Sequence, residues 1–401
     1  MKEELQIKNL GPLRDIDMKD IRPVMVLIGQ SGSGKSLLLK VLAMMRHVCK
    51  MHLLRRAMKN SGAKRASFRI RGDFYLQFAD ITHLIEATTS IVYTVESEGL
   101  KCEIIFDGQK KSFKACFNDA ERKDAGPYIK VVFISDTRNL IPAWSKKGAS
   151  IQSKVLDNYF SATYQDWETA VNHQLVSQQA SQFLGYNILV QKGDNGRKNI
   201  VLKGRRGDEI LLERAASGQK SALPVALIAR YFIKDYDFAA EVHRKYVLLM
   251  LESILNESQE PLTKLSQTYL SKFKSYALCL HIEEPELSLD PESQLKFADD
   301  LMADLEQAMN AARPQTSMIF TTHSPYWVTA LNILMEERKY KALTWERLGG
   351  YLITSEGTLR SLRDEDSQIL MMPNMDQATQ ELDRRLAEAL SQEKNCDHGA
   401  D

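Results

Sequence analysis

The sequence predicts an α/β protein in which a mixed sheet is flanked by helices and carries an inserted lobe. An apolar segment, residues 23–28, leads through a glycine-rich turn into residues 36–52, where apolar side chains recur at helical spacing. Two further apolar strands, residues 276–282 and 317–321, alternate with helical segments, as in a parallel sheet covered on both faces. Residues 66–118 contain several short alternating segments instead, which predicts an antiparallel lobe rich in strands.

The composition is that of an ordinary globular protein. The 401 residues suffice for a substantial core, and 53 Lys and Arg residues nearly balance 52 Asp and Glu residues, which leaves a formal charge of +1. The net charge therefore gives no general argument for nucleic-acid binding. Because we find neither an apolar run long enough to span a membrane nor a secretory start, we expect a cytoplasmic location and no membrane partner. The five cysteines form no C-x-x-C pair, which predicts reduced thiols.

Five further segments have clear local patterns. Residues 4–9 and 131–134 are predicted strands, and residues 153–183 form a long polar helical stretch that projects from the core or packs along one stripe. Residues 187–202 are a basic hairpin, because an Asn-Gly step supplies the positive φ angles of a tight turn. Residues 376–391 are predicted as the last helix.

These segments suggest four regions. Residues 1–60 and 211–345 are predicted to form the two parts of one core, and residues 61–210 the inserted lobe with its strands, helix and hairpin. Residues 346–401 add C-terminal strands and a helix.

The glycine-rich turn matches the phosphate-binding pattern G-x-x-x-x-G-K-[ST]. Its residues are Gly29, Gln30, Ser31, Gly32, Ser33, Gly34, Lys35 and Ser36. Glycines allow successive backbone N–H groups to surround phosphates at the positive end of a helix. Lys35 can then bridge the β- and γ-phosphates, and the Ser36 hydroxyl can bind Mg²⁺, so that ATP with Mg²⁺ is the expected ligand. The alternative is a plain glycine turn.

Two adjacent carboxylates follow the apolar strand 276–282. At the end of this strand Glu283 can lie near Mg²⁺, through water, and Glu284 can polarise an attacking water molecule. The usual motif has Asp at the position of Glu283, so the longer side chain changes the water shell or the position of the metal. A solvated acidic turn is the alternative interpretation.

The order of the next segments resembles a known family. IEEPELSLDP followed by TTHSP is similar to the Walker B, D-loop and switch-histidine segments of ABC-type ATPases. This resemblance implies an ABC-type P-loop ATPase core in which Glu284 is the catalytic base and His323 contacts the γ-phosphate. It also implies that Asp290 acts in trans, at a nucleotide bound by a second subunit.

Ser217, Gly218 and Gln219 resemble the S-G-Q signature of the same family, which reaches across a dimer to the nucleotide of the partner. Ser217 and the amide of Gly218 would form a second anion-binding helix end. A serine N-cap before an ordinary helix would give the same three letters. The resemblance therefore implies a homo-oligomer, at least a dimer, with composite ATP sites.

The best overall likeness is to SMC-like ATPases with an LxIKNxGPL start: RecF, the OLD family, and ATPase subunits of antiphage systems such as Septu and PARIS. It covers the first fifty residues and roughly residues 210–330, including ERAASGQKSALP. The segment around Arg138 resembles a strand ending in I-P-x-x-R, which implies that Arg138 senses nucleotide or an interface. OLD proteins carry a nuclease domain after the switch histidine, whereas only about 75 residues follow it here, so a nuclease would be a separate polypeptide.

Two groups of basic residues suggest a macromolecular ligand. The first group is Arg46, Lys50, Arg55, Arg56, Lys59, Lys64, Arg65, Arg69 and Arg71, and the second is Lys192, Arg197, Lys198, Lys203, Arg205 and Arg206. They can bind phosphates or an acidic partner, or they can be a solvated surface. The resemblance implies an ATPase that regulates a separate effector, such as a nuclease, in antiphage defence. The alternative is a RecF-like DNA-binding ATPase in DNA repair, so nucleic acid is a possible partner.

Overall fold

The computed structural model describes most of the chain. The described residues are 1–60, 69–118, 126–143, 157–174, 179–181, 185–192, 198–204, 206–242, 244, 273, 275–311, 313–372 and 384–385. In this part of the chain no helix is long and apolar enough to cross a membrane.

A six-stranded sheet forms the centre of the fold. Its order is β15-β14-β3-β13-β12-β7, and all neighbours are parallel except β15, which pairs antiparallel with β14. The strands are β3 (Val24–Gly29), β7 (Tyr128–Ile134), β12 (Tyr276–Glu283), β13 (Gln315–Thr322), β14 (Leu348–Ile353) and β15 (Leu359–Ser361). The predicted α/β class with a mixed sheet is confirmed.

A second, antiparallel sheet has the order β2-β1-β4-β5-β6. Its strands are β1 (Lys2–Leu10), β2 (Leu13–Met18), β4 (Ile85–Ser97), β5 (Leu100–Asp107) and β6 (Ser112–Phe117). In β1 and β5 every second side chain is buried, because only one face of this sheet packs on the core. This sheet contains β1 and β2 from the predicted first region together with β4, β5 and β6 from the predicted lobe, and β7 of the predicted lobe belongs to the central sheet. The sheets thus cross the predicted boundaries, and the division into four regions stays a prediction.

Two smaller sheets complete the strands. The predicted hairpin is present as β9 and β10, which lie in a four-stranded sheet of order β11-β10-β9-β8. These strands are β8 (Gln179–Ser181), β9 (Tyr186–Lys192), β10 (Lys198–Gly204) and β11 (Glu209–Leu211), and a separate pair is formed by β16 (Arg363–Asp364) and β17 (Ile369–Leu370).

The structure gives the bounds of several α-helices. They are α1 (Lys35–Asn60), α2 (Gly72–Phe78), α3 (Asn158–Gln174), α4 (Ser217–Arg230), α5 (Pro291–Asn310) and α6 (Pro325–Glu336). Shorter helical turns span Thr82–Leu84, Asp136–Leu140, Leu212–Arg214 and Tyr231–Asp235. Side chains on several sides of α1 are buried, because this helix lies between the central sheet and the antiparallel sheet.

Two predictions need correction. Part of the segment predicted as the first strand of the lobe is helix α2, in which the spacing of Tyr75, Leu76 and Ala79 buries one helical face. The long polar helix is shorter, since α3 ends at Gln174 and residues 179–181 pair with β9. The buried residues of α3 lie along one stripe of the helix, so this helix packs on the core along one side and does not project from it. The predicted helix at residues 376–391 lies almost wholly outside the described residues.

Candidate functional site

The glycine-rich turn connects β3 to α1 at the carboxyl edge of the central sheet. Gly32 and Gly34 have φ angles of +81° and +99°, which side chains with a Cβ rarely adopt. A Cβ on Gly34 would lie 2.8 Å from Cδ2 of Leu13, whereas a Cβ on Gly32 would meet nothing within 4 Å. The loop is therefore tightly packed at Gly34 and open at Gly32, where a phosphate can approach the backbone.

Lys35 lies folded back across this loop. Its ammonium donates hydrogen bonds of 2.9 Å to the carbonyls of Gly29 and Gln30, and the residue is only 6% exposed. Burial lowers the pKa of Lys35, while the charges of Glu284 and Glu286 act in the opposite direction. The hydroxyl of Ser33 is buried and has no hydrogen-bond partner among the described residues. Phosphate oxygens can satisfy both groups.

Ser36 and Glu283, the two predicted metal ligands, lie near each other. At the end of β12 the backbone N–H of Asp136 donates to Oε2 of Glu283 at 3.3 Å, and the nearby Ser36 hydroxyl acts to lower the pKa of Glu283. Burial first, and then the charge of Asp136, raise the pKa of Glu283 to about 7. Sequence reasoning missed Asp136, although it lies two residues after the end of β7, the strand that pairs with β12.

Glu284 and His323, the predicted catalytic pair, also meet. Nε2 of His323 lies 3.3 Å from Oε1 of Glu284, and their side chains are 40% and 29% exposed. Glu284 has a φ angle of +42°, and its N–H donates to the carbonyl of Thr321 on the neighbouring strand. Both side chains are therefore partly open to solvent. The pair lies beside the phosphate loop, because β3, β13 and β12 are adjacent parallel strands that end at the same edge of the sheet.

Glu286 is a second residue that the sequence interpretation missed. Its Oε1 accepts hydrogen bonds from the Thr322 hydroxyl at 2.7 Å and from the backbone N–H of His323 at 2.9 Å. Burial raises its pKa, and its Oε2 has no hydrogen-bond partner among the described residues. The repeated acidic letters of EEPE were a signal for it. Glu286 thus fixes the backbone at Thr322 and His323, where β13 ends.

Arg138 is fully buried, and its guanidinium donates four hydrogen bonds to backbone carbonyls. The acceptors are Ser135 at 3.1 Å, Ser221 at 2.8 Å, Glu283 at 2.6 Å and Glu284 at 2.5 Å. Burial lowers the pKa of Arg138 to about 10, so the group stays charged at neutral pH. The guanidinium is therefore used inside the chain, and the nucleotide- or interface-sensing role implied by the resemblance stays a prediction.

Ser217, Gly218 and Gln219 form the first turn of α4. The N-cap is Ala216, not Ser217, so the serine N-cap interpretation is wrong, and Oε1 of Gln219 accepts the N–H of Ala216. Ser217 is exposed, whereas Gly218 is buried: a Cβ there would lie 2.7 Å from the carbonyl oxygen of Ser288. The first turn of α4 thus packs on the loop after β12.

Asp290 ends the same loop. Its carboxylate is the N-cap of α5 and accepts hydrogen bonds from the N–H and hydroxyl of Ser293 at 3.1 Å and 2.6 Å. These bonds lower the pKa of Asp290. The predicted action of Asp290 in trans stays a prediction.

The donor set is consistent with Mg²⁺ held together with a nucleotide. Among the described residues no three His, Cys, Asp or Glu side chains form a metal-binding group. Ser36 and Glu283 supply two oxygen donors, and Mg²⁺ in proteins commonly completes its shell with water and phosphate oxygens. The open backbone at Gly32 and the unpaired hydroxyl of Ser33 fit the phosphate part of such a ligand.

The basic residues do not form one surface. Arg46 is fully buried and binds both carboxylate oxygens of Glu3, at 2.8 Å and 2.7 Å, and Lys50 is 3% exposed. The predicted surface cluster is therefore wrong for these two side chains. Lys59 and Arg69 are exposed, and Lys64 and Arg65 lie outside the described residues. In the second group Lys203 and Arg206 are exposed, and Lys203 pairs with Glu209 at 3.2 Å.

No protein-family model matches the sequence, and no curated protein does so either. The chain is similar to the SMC head domain from Thermotoga maritima, with 12% identity over 88% of this chain and 95% of that chain and a TM-score of 0.36. It is also similar to the Smc head domain with an extended coiled coil, bound to the C-terminal domain of ScpA, derived from Pyrococcus furiosus, with 11% identity, coverages of 91% and 96% and a TM-score of 0.39. The recombination mediator protein RecF shares 12% identity over 90% of this chain and 98% of that chain, with a TM-score of 0.31. The likeness concerns the overall fold.

Proposed function

We propose that this protein is an ATPase that binds MgATP at residues 29–36 and hydrolyses it with Glu284 as the catalytic base. One observation carries the proposal: Nε2 of His323 lies 3.3 Å from Oε1 of Glu284, and Ser36 lies near Glu283, at adjacent strand ends beside the phosphate loop. A glycine turn or an acidic turn without function would require neither pairing. Open α/β sheets bind their ligands at this edge.

Each residue has a distinct role in this proposal. Backbone N–H groups of residues 29–36 and the ammonium of Lys35 bind the phosphates. Ser36 and Glu283 would hold Mg²⁺, which would supply positive charge to stabilise the transferred phosphoryl group. Glu284 accepts a proton from water as the water oxygen attacks the γ-phosphorus. The bond from that phosphorus to the bridging oxygen breaks, and ADP leaves with its electron pair. His323 contacts the γ-phosphate and orients Glu284.

The site is proposed to be composite. Ser217, Gly218, Gln219 and Asp290 would act at the nucleotide of a second subunit. Two features support this role: the N-terminus of α4 can bind an anion, and Ser217 and Asp290 are both exposed while Gly218 fixes the turn against Ser288. ATP would then stabilise a homodimer, because its phosphates contact both subunits.

The proposed output is control of a separate effector, such as a nuclease, in antiphage defence. This part rests on the resemblance of the LxIKNxGPL start and of ERAASGQKSALP. The alternative is a DNA-binding ATPase in repair, which exposed basic residues such as Lys59, Arg69 and Arg206 favour. DNA-stimulated hydrolysis with a steep salt dependence would support repair, and co-purification with the product of a neighbouring nuclease gene would support defence.

The assignment of the site is tested with Lys35→Ala and Glu284→Gln. We expect Lys35→Ala to weaken ATP binding, because the loop loses its cation, and Glu284→Gln to bind ATP but to lose 10²-fold or more in turnover, roughly the range of a missing general base. A fluorescent ATP analogue measures binding, and phosphate release measures turnover. Glu336→Gln, on an exposed residue of α6, is the matched control. Wild-type turnover in both site variants would overturn the assignment.

A further inference from the structure

The bonds of Arg138 join three separate parts of the chain. Its Nε binds the carbonyl of Ser221 in α4, its Nη1 those of Ser135 after β7 and Glu283 at the end of β12, and its Nη2 that of Glu284. A buried arginine usually pairs with a carboxylate, as Arg46 does with Glu3. The four hydrogen bonds described for Arg138 all reach main-chain carbonyls, so its guanidinium sets where these backbones lie.

One of these backbones is strained. Glu284 has a φ angle of +42°, in the left-handed region that is unfavourable for residues with a Cβ. Its N–H is bound by Thr321 and its carbonyl by Arg138, so the peptide groups on both sides of its Cα are held. This backbone conformation decides where the Glu284 carboxylate points, which is toward His323.

Arg138 connects Glu284 to the first part of α4. Ser221 lies one turn after Ser217 and Gly218, and Gly218 packs against the carbonyl of Ser288. The start of α4 is thus attached to the loop after β12 at two places, through Arg138 and through Gly218. Short contacts through Arg138 and Gly218 thus connect α4 with the segment that carries Glu284.

We propose that Arg138 is a positioning residue that couples the two ATP sites of a dimer. This inference rests on the proposed function. Within one subunit Glu284 serves the nucleotide on its own phosphate loop, whereas Ser217 and Gly218 serve the nucleotide of the partner. Because Arg138 joins these two regions, engagement of the partner's nucleotide by α4 positions Glu284 for its own, and hydrolysis is cooperative in ATP.

The test measures ATP turnover against ATP concentration. Wild type should have a Hill coefficient above 1, with an upper limit of about 2 for two coupled sites. Arg138→Lys keeps the charge, but an ammonium cannot reach carbonyls on both sides as a guanidinium does. We expect its Hill coefficient to fall to about 1 and kcat to fall on the order of tenfold to hundredfold, while the Kd for a fluorescent ATP analogue changes less than about threefold.

Arg313→Lys is the matched control, since Arg313 also binds two carbonyls, those of Ile233 and Tyr236, away from Glu284. It should lower the melting temperature without changing the Hill coefficient. Arg138→Gln, which keeps two donors, is the second variant in case Arg138→Lys does not fold. A folded Arg138 variant that still hydrolyses ATP cooperatively overturns the coupling alone. The same holds if the wild-type protein hydrolyses ATP with a Hill coefficient of 1. A wild type without ATPase activity overturns the proposed function as well.

Discussion

At the scale of single residues, Glu283 is held in an environment that opposes its charge. Burial raises its pKa from 4.5 to about 7. Between these values the folded protein retains a proton that the unfolded chain has released, so unfolding is favoured as the pH rises. Stability contributed by protonated Glu283 is complete below about pH 4.5 and is lost as the pH passes through about 7.

This shift predicts a pH-dependent stability of the protein without metal and nucleotide. Relative to Glu283→Gln, which cannot ionise, wild type should lose on the order of 3 kcal/mol of unfolding free energy between about pH 4.5 and 7.5. Urea unfolding at several pH values measures it. Glu336→Gln, on an exposed glutamate, should follow wild type. Parallel curves for wild type and Glu283→Gln would show that Glu283 ionises normally.

At the scale of elements, α4 depends on a glycine that no larger residue can replace without movement. A Cβ on Gly218 would lie 2.7 Å from the carbonyl oxygen of Ser288 and 2.9 Å from Cδ2 of Leu289. The backbone oxygen cannot rotate away as a side chain can, so α4 or the loop must shift. The same loop carries Glu284 and Asp290.

We therefore expect Gly218→Ala to change both stability and turnover. Overpacking should cost about 1–3 kcal/mol of unfolding free energy, and the displaced loop should lower kcat by roughly tenfold or more. Chemical unfolding and phosphate release measure the two effects. Ser217→Ala, at the exposed neighbouring position, tests the same turn without added volume and should keep wild-type stability. If Gly218→Ala keeps the wild-type free energy of unfolding, then α4 and the loop after β12 move apart at little energetic cost.

At the scale of the whole molecule, the two halves of the proposed site face different subunits, so that variants with different defects should complement each other. Ser217→Arg should bind ATP but block hydrolysis, and Lys35→Ala should impair binding. A mixed dimer contains one intact site, so an equal mixture should recover at most about a quarter of wild-type turnover. The mass of the Glu284→Gln protein with ATP should be that of a dimer. A Glu284→Gln protein that stays a monomer with ATP would argue against shared sites, whereas an inactive mixture would also follow from the coupling through Arg138.

Local patterns predicted much of the molecule. Apolar strands with a turn and a helix between them predict a sheet whose strand ends bear Gly29, Glu283 and Thr322, because parallel strands align their carboxyl ends. The α/β class is confirmed. The roles of the predicted site residues, the composite site, the cytoplasmic location and the defence effector stay predictions.

The sequence by itself determined which residue types end each core strand, since periodicity and glycine spacing are local properties of the chain. Tertiary structure alone decided what those side chains contact. Arg46 looks like a surface cation in a basic run, yet it lies buried against Glu3, and Arg138 binds carbonyls far away in the chain. Burial and partners depend on which elements pack together, so only the folded chain assigns Asp136 and Glu286 to this site.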